Sequence, residues 1–114
     1  MSRVYVSRIL ECLRELADKA YQQRIWTASS GPEISSFTEA VCQLFDDSGL
    51  GDELDKSRTV FSAMIDARLR VLGDELVAFD DNRAPSEIIE DPKMEKLRVL
   101  ARELLDLLSD EGIR

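Results

Sequence analysis

Residues 36–50 read SFTEAVCQLFDDSGL, and this stretch fixes the class of fold. Ser36 and Glu39 have capping-box spacing, in which the hydroxyl accepts from the amide three residues on and the carboxylate reaches back to the Ser36 N–H. A helix therefore starts here. Phe37, Ala40, Val41, Leu44 and Phe45 recur three and four apart, so they line one face of a 3.6-residue period that must be buried. Asp46, Asp47, Ser48 and Gly49 stop the helix, because Asp and Ser compete for backbone hydrogen bonds and Gly accepts the left-handed conformation that closes it.

Working outward, residues 3–26 keep helical spacing through Val6, Ile9, Leu10, Leu13, Leu16, Ala17, Ala20 and Tyr21. Glu15 with Lys19 and Arg14 with Asp18 read as supporting i,i+4 pairs. Val4-Tyr5-Val6 is locally strand-prone, but no second alternating segment exists to pair with it, so the helix is expected to prevail. The following TASSGPEIS, residues 27–35, reads as a loop. Residues 50–54 read as a short polar connection. A long helix is expected to start between Asp55 and Thr59, with Phe61, Ile65, Leu69, Leu72, Leu76 and Phe79 spaced like a bundle seam. Gly73 inside it costs about 1 kcal/mol relative to Ala. The unbroken apolar phase across it points to close approach of a neighbour rather than a break. Residues 80–85 form a turn and residues 86–90 one short helical turn. Asp91-Pro92 then opens the last helix with an N-cap and a proline at the first position. Met94, Leu97, Leu100, Ala101, Leu104, Leu105, Leu107 and Leu108 give that helix a broad apolar face, and Gly112 lies past its end. The expectation is an all-α fold, a bundle of four main helices with one or two short extra turns, in a single domain over residues 1–114.

A chain of 114 residues buries about 65% of the surface that its unfolded form exposes, enough for a core without metal or disulfide staples. Cys12 and Cys42 fall in predicted helices and read as buried, reduced thiols. There is no window of membrane-spanning length, and the first ten residues mix Arg and Ser into their apolar positions, which predicts a cytoplasmic protein that does not enter membranes.

The net charge of −8 is unevenly placed: +2 over residues 1–30, −6 over 31–57, −1 over 58–83 and −3 over 84–114. Such a field repels phosphate backbones and favours encounter with basic proteins, so no nucleic-acid partner is expected. There is no histidine, which removes Ser-His-Asp and Cys-His catalysis, His general-base chemistry and mixed His zinc sites. No cofactor is implied. Residues 46–57 place Gly51 where a calcium loop has its glycine, but Leu50 and Ser57 occupy two ligand positions and exclude that loop.

Two surfaces remain. The first is acidic: Asp46, Asp47, Asp52, Glu53 and Asp55, beside Tyr21, Arg24 and Trp26. Trp26 either covers the end of the bundle while Arg24 pairs with Asp46 or Asp47, or the two anchor an interface, where Trp and Arg are enriched. The second is a pair of carboxylate motifs, Glu87-Ile88-Ile89-Glu90 and, twelve residues on, Glu103-Leu104-Leu105-Asp106. These four positions resemble the magnesium-binding signature of the all-α nucleoside triphosphate pyrophosphatases, and that resemblance implies a metal held between paired carboxylates for phosphate chemistry.

Tyr21-Gln22-Gln23-Arg24-Ile25-Trp26, Ser36-Phe37-Thr38-Glu39-Ala40-Val41 and Leu44-Phe45-Asp46-Asp47-Ser48-Gly49-Leu50 together resemble a group of small bacterial proteins, some of which are regarded as immunity-like proteins of contact-dependent growth inhibition systems. The resemblance covers about a third of the chain. It implies a helical fold and a non-enzymatic role in neutralising a basic toxin, and it assigns no toxin-contacting residue. Two alternatives stand beside that reading: the magnesium-dependent pyrophosphatase, and a subunit that forms a homodimer through the leucine face of the last helix.

Overall fold

The computed structural model describes residues 5–27, 36–56 and 59–113, without the side chains of Asp47 and Asp55. Arg3, Val4, the segment 28–35 and Ser57 therefore lie outside the described residues. The fold is all-α. In order come α1 (Val6–Ala17), α2 (Lys19–Tyr21) widening into a π-helical segment (Gln22–Trp26), and α3 (Phe37–Cys42) widening into a second π segment (Gln43–Asp47). Then follow α4 (Leu50–Asp55), α5 (Ala63–Ala78), α6 (Pro85–Glu90) and α7 (Pro92–Asp110). Among the described residues no helix is long and apolar enough to cross a membrane.

Four helical bodies close a ring. The last helix α7 packs against both α1 and α5, the second π segment packs against α1, and Phe45 of that segment reaches Gly73 of α5. Each body faces the centre with the side chains that its spacing selects: Ile9, Leu13 and Leu16 from α1, Leu44 from the second body, Ile65, Leu69 and Leu72 from α5, Met94, Leu104 and Leu108 from α7, all buried. Burying each such side chain stabilises the fold by roughly 1.5–3 kcal/mol. Gly73 does what its phase suggests, since a Cβ there would meet Phe45 Cζ at 3.2 Å.

The first body is not one helix. Asp18 adopts an extended conformation, ends α1, and restarts the chain as N-cap of α2 by accepting from the Tyr21 N–H at 3.1 Å. The expected i,i+4 pairs across this point do not form. Lys19 turns instead to Glu90 at 3.7 Å, and Glu15 to the Trp26 indole. The break leaves the last carbonyls of α1 without helical partners, and side chains supply them. Gln22 Nε2 donates to the carbonyls of Glu15 (3.0 Å) and Leu16 (2.9 Å), and Arg102 Nη2 donates to that of Ala17 (3.0 Å).

Three further boundaries differ from the sequence-based expectation. Residues 50–54 are helical, because Gly49 at φ 80° turns the chain and lets Leu50 and Leu54, four apart, bury together. The long helix starts at Ala63, later than the Asp55 to Thr59 expected. Ser62 caps it by accepting from the Ile65 N–H (3.1 Å), while the buried carboxylate of Asp66 takes the N–H groups of Val60 (2.7 Å) and Phe61 (3.0 Å) and so holds Phe61 outside the helix. The capping box is half made: Ser36 accepts from Glu39 N–H at 3.1 Å, but the Glu39 carboxylate accepts from Gln43 Nε2. Neither cysteine forms a disulfide; Cys12 is buried as expected and Cys42 is exposed at the end of α3, against expectation. Asp91 caps α7 through the Lys93 N–H at 2.8 Å, with Pro92 in the first position, as the sequence predicts.

Candidate functional site

A groove of about 410 Å³ lies between α1 and the start of the second π segment. One wall is the α1 ridge Glu11, Arg14 and Glu15, continued by Asp18 and Tyr21 past the break, and Gln43 closes the other side. Cys12 forms the buried floor, with its Sγ 4.0 Å from Gln43 Oε1. Three carboxylates and one guanidinium thus belong to residues that line one groove. Glu39, bonded to Gln43, adds a fourth acid behind the far wall. Both bodies that border the groove end in π segments, whose extra residue per turn re-aims side chains and recurs at functional positions.

Trp26 is tied to this groove from beneath. It is 3% exposed, its indole N–H donates to Glu15 Oε2 at 2.8 Å, and its ring meets Phe37 edge-on at 6.0 Å. Phe37 in turn lies 4.9 Å from Phe79, so three aromatic rings seal one end of the bundle. A side chain so enclosed presents no contact area to a partner, which corrects the reading of Trp26 as an interface anchor. Arg24 is exposed and stacks over the Tyr21 ring at 5.6 Å, rather than pairing with Asp46.

The acidic segment is only partly surface. Asp46 and Asp52 are exposed and form no ion pair with another described residue. Glu53, by contrast, is 5% exposed and bonded to Lys56 Nζ at 3.0 Å, so it serves the fold and not a partner. The side chains of Asp47 and Asp55 lie outside the described residues. Sequence reasoning passed over Glu11, Glu15 and Asp18 because the first thirty residues carry a net positive charge, although their spacing of four and three already places them along one helix face.

The four carboxylates of the pyrophosphatase alternative do not converge. Glu90 reaches Lys19 of α2, whereas Glu103 reaches Arg68 of α5 at 3.4 Å, and Glu87 stays exposed on α6. Asp106 shares a shallow depression with Glu103, Arg68 and Leu107 only. Among the described residues there is no group of three or more acidic or thiol side chains placed to hold one ion. The leucine face of α7 is likewise occupied: Met94, Leu97, Ala101, Leu104 and Leu108 are buried, and Leu100, Leu105 and Leu107 pack partly against the core. That removes the expected route to self-association.

No buried side-chain nitrogen or oxygen among the described residues lacks a hydrogen-bond partner. No protein-family model matches the chain, and no curated protein or solved structure matches it.

Proposed function

We propose that this chain is a non-enzymatic binding module that captures a basic protein, and that the groove along α1 receives a cationic side chain of that partner. The observation that supports it is the groove itself: Glu11, Glu15 and Asp18 line one concavity with a single arginine among them, while each buried side-chain nitrogen and oxygen among the described residues has a hydrogen-bond partner. Carboxylates held in a concave site focus negative potential, which speeds encounter with a cation and orients it on arrival. Asp46 and Asp52, exposed and outside any described ion pair, extend the same sign of charge. The resemblance of residues 21–26, 36–41 and 44–50 to immunity-like proteins makes a toxin with a cationic nuclease cleft the partner of choice, and the acidic surface matches such a cleft in charge.

The test is binding to that class of partner. The chain is used to retain basic proteins from its native host at low and at high salt, alongside a variant carrying Glu11→Lys, Asp46→Lys and Asp52→Lys. The reading expects a basic protein held at low salt, released as salt screens the contact, and lost in the variant. Equal retention by the variant, or a retained protein indifferent to salt, contradicts it.

A further inference from the structure

The helix α5 is apolar on two sides. Its inner side carries Ile65, Leu69, Leu72 and Leu76, all buried, as any bundle helix requires. Its outer side carries Met64 and Val71, each 50% exposed, with Ala67 and Ala78 also exposed. Charged side chains, Arg68, Arg70, Asp74 and Glu75, flank these apolar positions, and no described element covers this side of α5. The outer residues are also ordered. Met64, Val71 and Ala78 follow one another at intervals of seven, with Ala67 between the first two and the exposed Asp74 between the last two, which is the spacing of a straight helix-to-helix contact line with one acid in it.

We infer that this outer face of α5 docks on the same face of a second copy of the chain, the two helices antiparallel about a two-fold axis beside Val71. Charge complementarity identifies a second copy as the occupant. In an antiparallel pair centred on Val71, Arg68 stands three residues before the centre and Glu75 four after it, on the same flank of the line. Each Arg68 therefore comes opposite Glu75 of the copy, and the pairing occurs twice because an isologous interface repeats every contact. The same symmetry sets the large Met64 against the small Ala78, and Val71 against itself, so bulk meets space along the line. Among the described residues Arg68 and Glu75 have exposed partners, Glu103 at 3.4 Å and Lys96 at 3.7 Å, and such exposed pairs leave both side chains able to bridge to the copy. Around the ring of helical bodies α5 stands diagonally across from α1, so a copy seated on α5 leaves the acidic groove open.

Sedimentation equilibrium of the full chain from micromolar to millimolar concentration tests this, with Val71→Arg and Ala67→Glu as disrupting variants and Val71→Leu as a conservative one. Circular dichroism and thermal unfolding report whether each variant is folded. The expected result is a concentration-dependent dimer for the natural chain and for Val71→Leu, and a dissociation constant raised at least about tenfold in Val71→Arg and Ala67→Glu with their helicity retained. A natural chain that stays monomeric over the whole range would overturn the inference. So would folded Val71→Arg and Ala67→Glu variants that dimerise as well as the natural chain, since the contact would then lie on another face.

Discussion

Arg98 of α7 donates from Nη1 to Gln22 Oε1 at 2.8 Å across the buried centre, joining two residues far apart in sequence at the point where the first helix breaks. Arg98 is 5% exposed and spends its other donors on Glu95 (2.9 Å) and the Ile89 carbonyl (3.1 Å), while Gln22 turns its amide to the free carbonyls of α1. One fork of hydrogen bonds thus fixes α1, α6 and α7 around the kink that shapes the groove wall.

Because a hydrogen bond to a buried charged group contributes about 1.5–3 kcal/mol, Gln22→Leu should lower stability by an amount in that range. Arg98→Met should cost a similar amount by stranding Gln22 Oε1 and the Ile89 carbonyl. The pair acts as one unit, so the double variant should cost less than the two singles together, by about 0.5–3 kcal/mol in urea unfolding. Strict additivity would show that the two side chains are not coupled.

Gly73 and Phe45 give a second test. Gly73→Ala removes a helix penalty of about 1 kcal/mol, but its new Cβ would stand 3.2 Å from the Phe45 ring, which must give way. The substitution should therefore stabilise by clearly less than that amount in the natural chain, and by the whole of it in a Phe45→Leu background. Equal effects in both backgrounds, read from denaturant midpoints, would mean that the ring does not press on the helix.

The carboxyl of Asp91 is held below its ordinary value of 3.8, chiefly by the Lys93 N–H it caps and then by the Arg83 guanidinium at 2.9 Å. A carboxylate depressed in the folded state contributes stability that is fully present above its unfolded pKa and disappears as pH falls through the folded value. Asp91→Asn keeps a capping oxygen but loses the charge. It should unfold at lower denaturant than the natural chain at neutral pH, with the gap closing as pH drops below 3.8. A gap that stays constant into strong acid would place the contribution elsewhere.

Helical periodicity made the core legible, since Ile65, Leu69, Leu72 and Leu76 are buried as their spacing requires, and so was the Asp91-Pro92 start of α7. What escaped was polar. Gln22 and Arg98 interrupt apolar faces and look like solvated residues until a helix break makes a buried carbonyl for them to reach. Asp18 reads as half of an ion pair on a continuous helix, although its side chain caps a new one. Residues 50–54 look like a connection because Gly51 and two acids hide the Leu50 and Leu54 pair. The acids of the candidate site share a helix face by their spacing, but the groove needs Gln43 from another body as its far wall, and that packing is not written in the sequence.

The groove has a built-in reporter, because Trp26 is the only tryptophan in the chain and its indole is bonded to Glu15, whose carboxylate also lines the groove. A cation entering the groove must alter that bond. Titration with an arginine-rich peptide, followed by Trp26 emission, should give a saturable change that high salt abolishes, and that Glu11→Gln combined with Asp18→Asn removes while the fold is kept. A flat titration, or one that the double variant reproduces unchanged, would contradict capture of a basic partner by this groove.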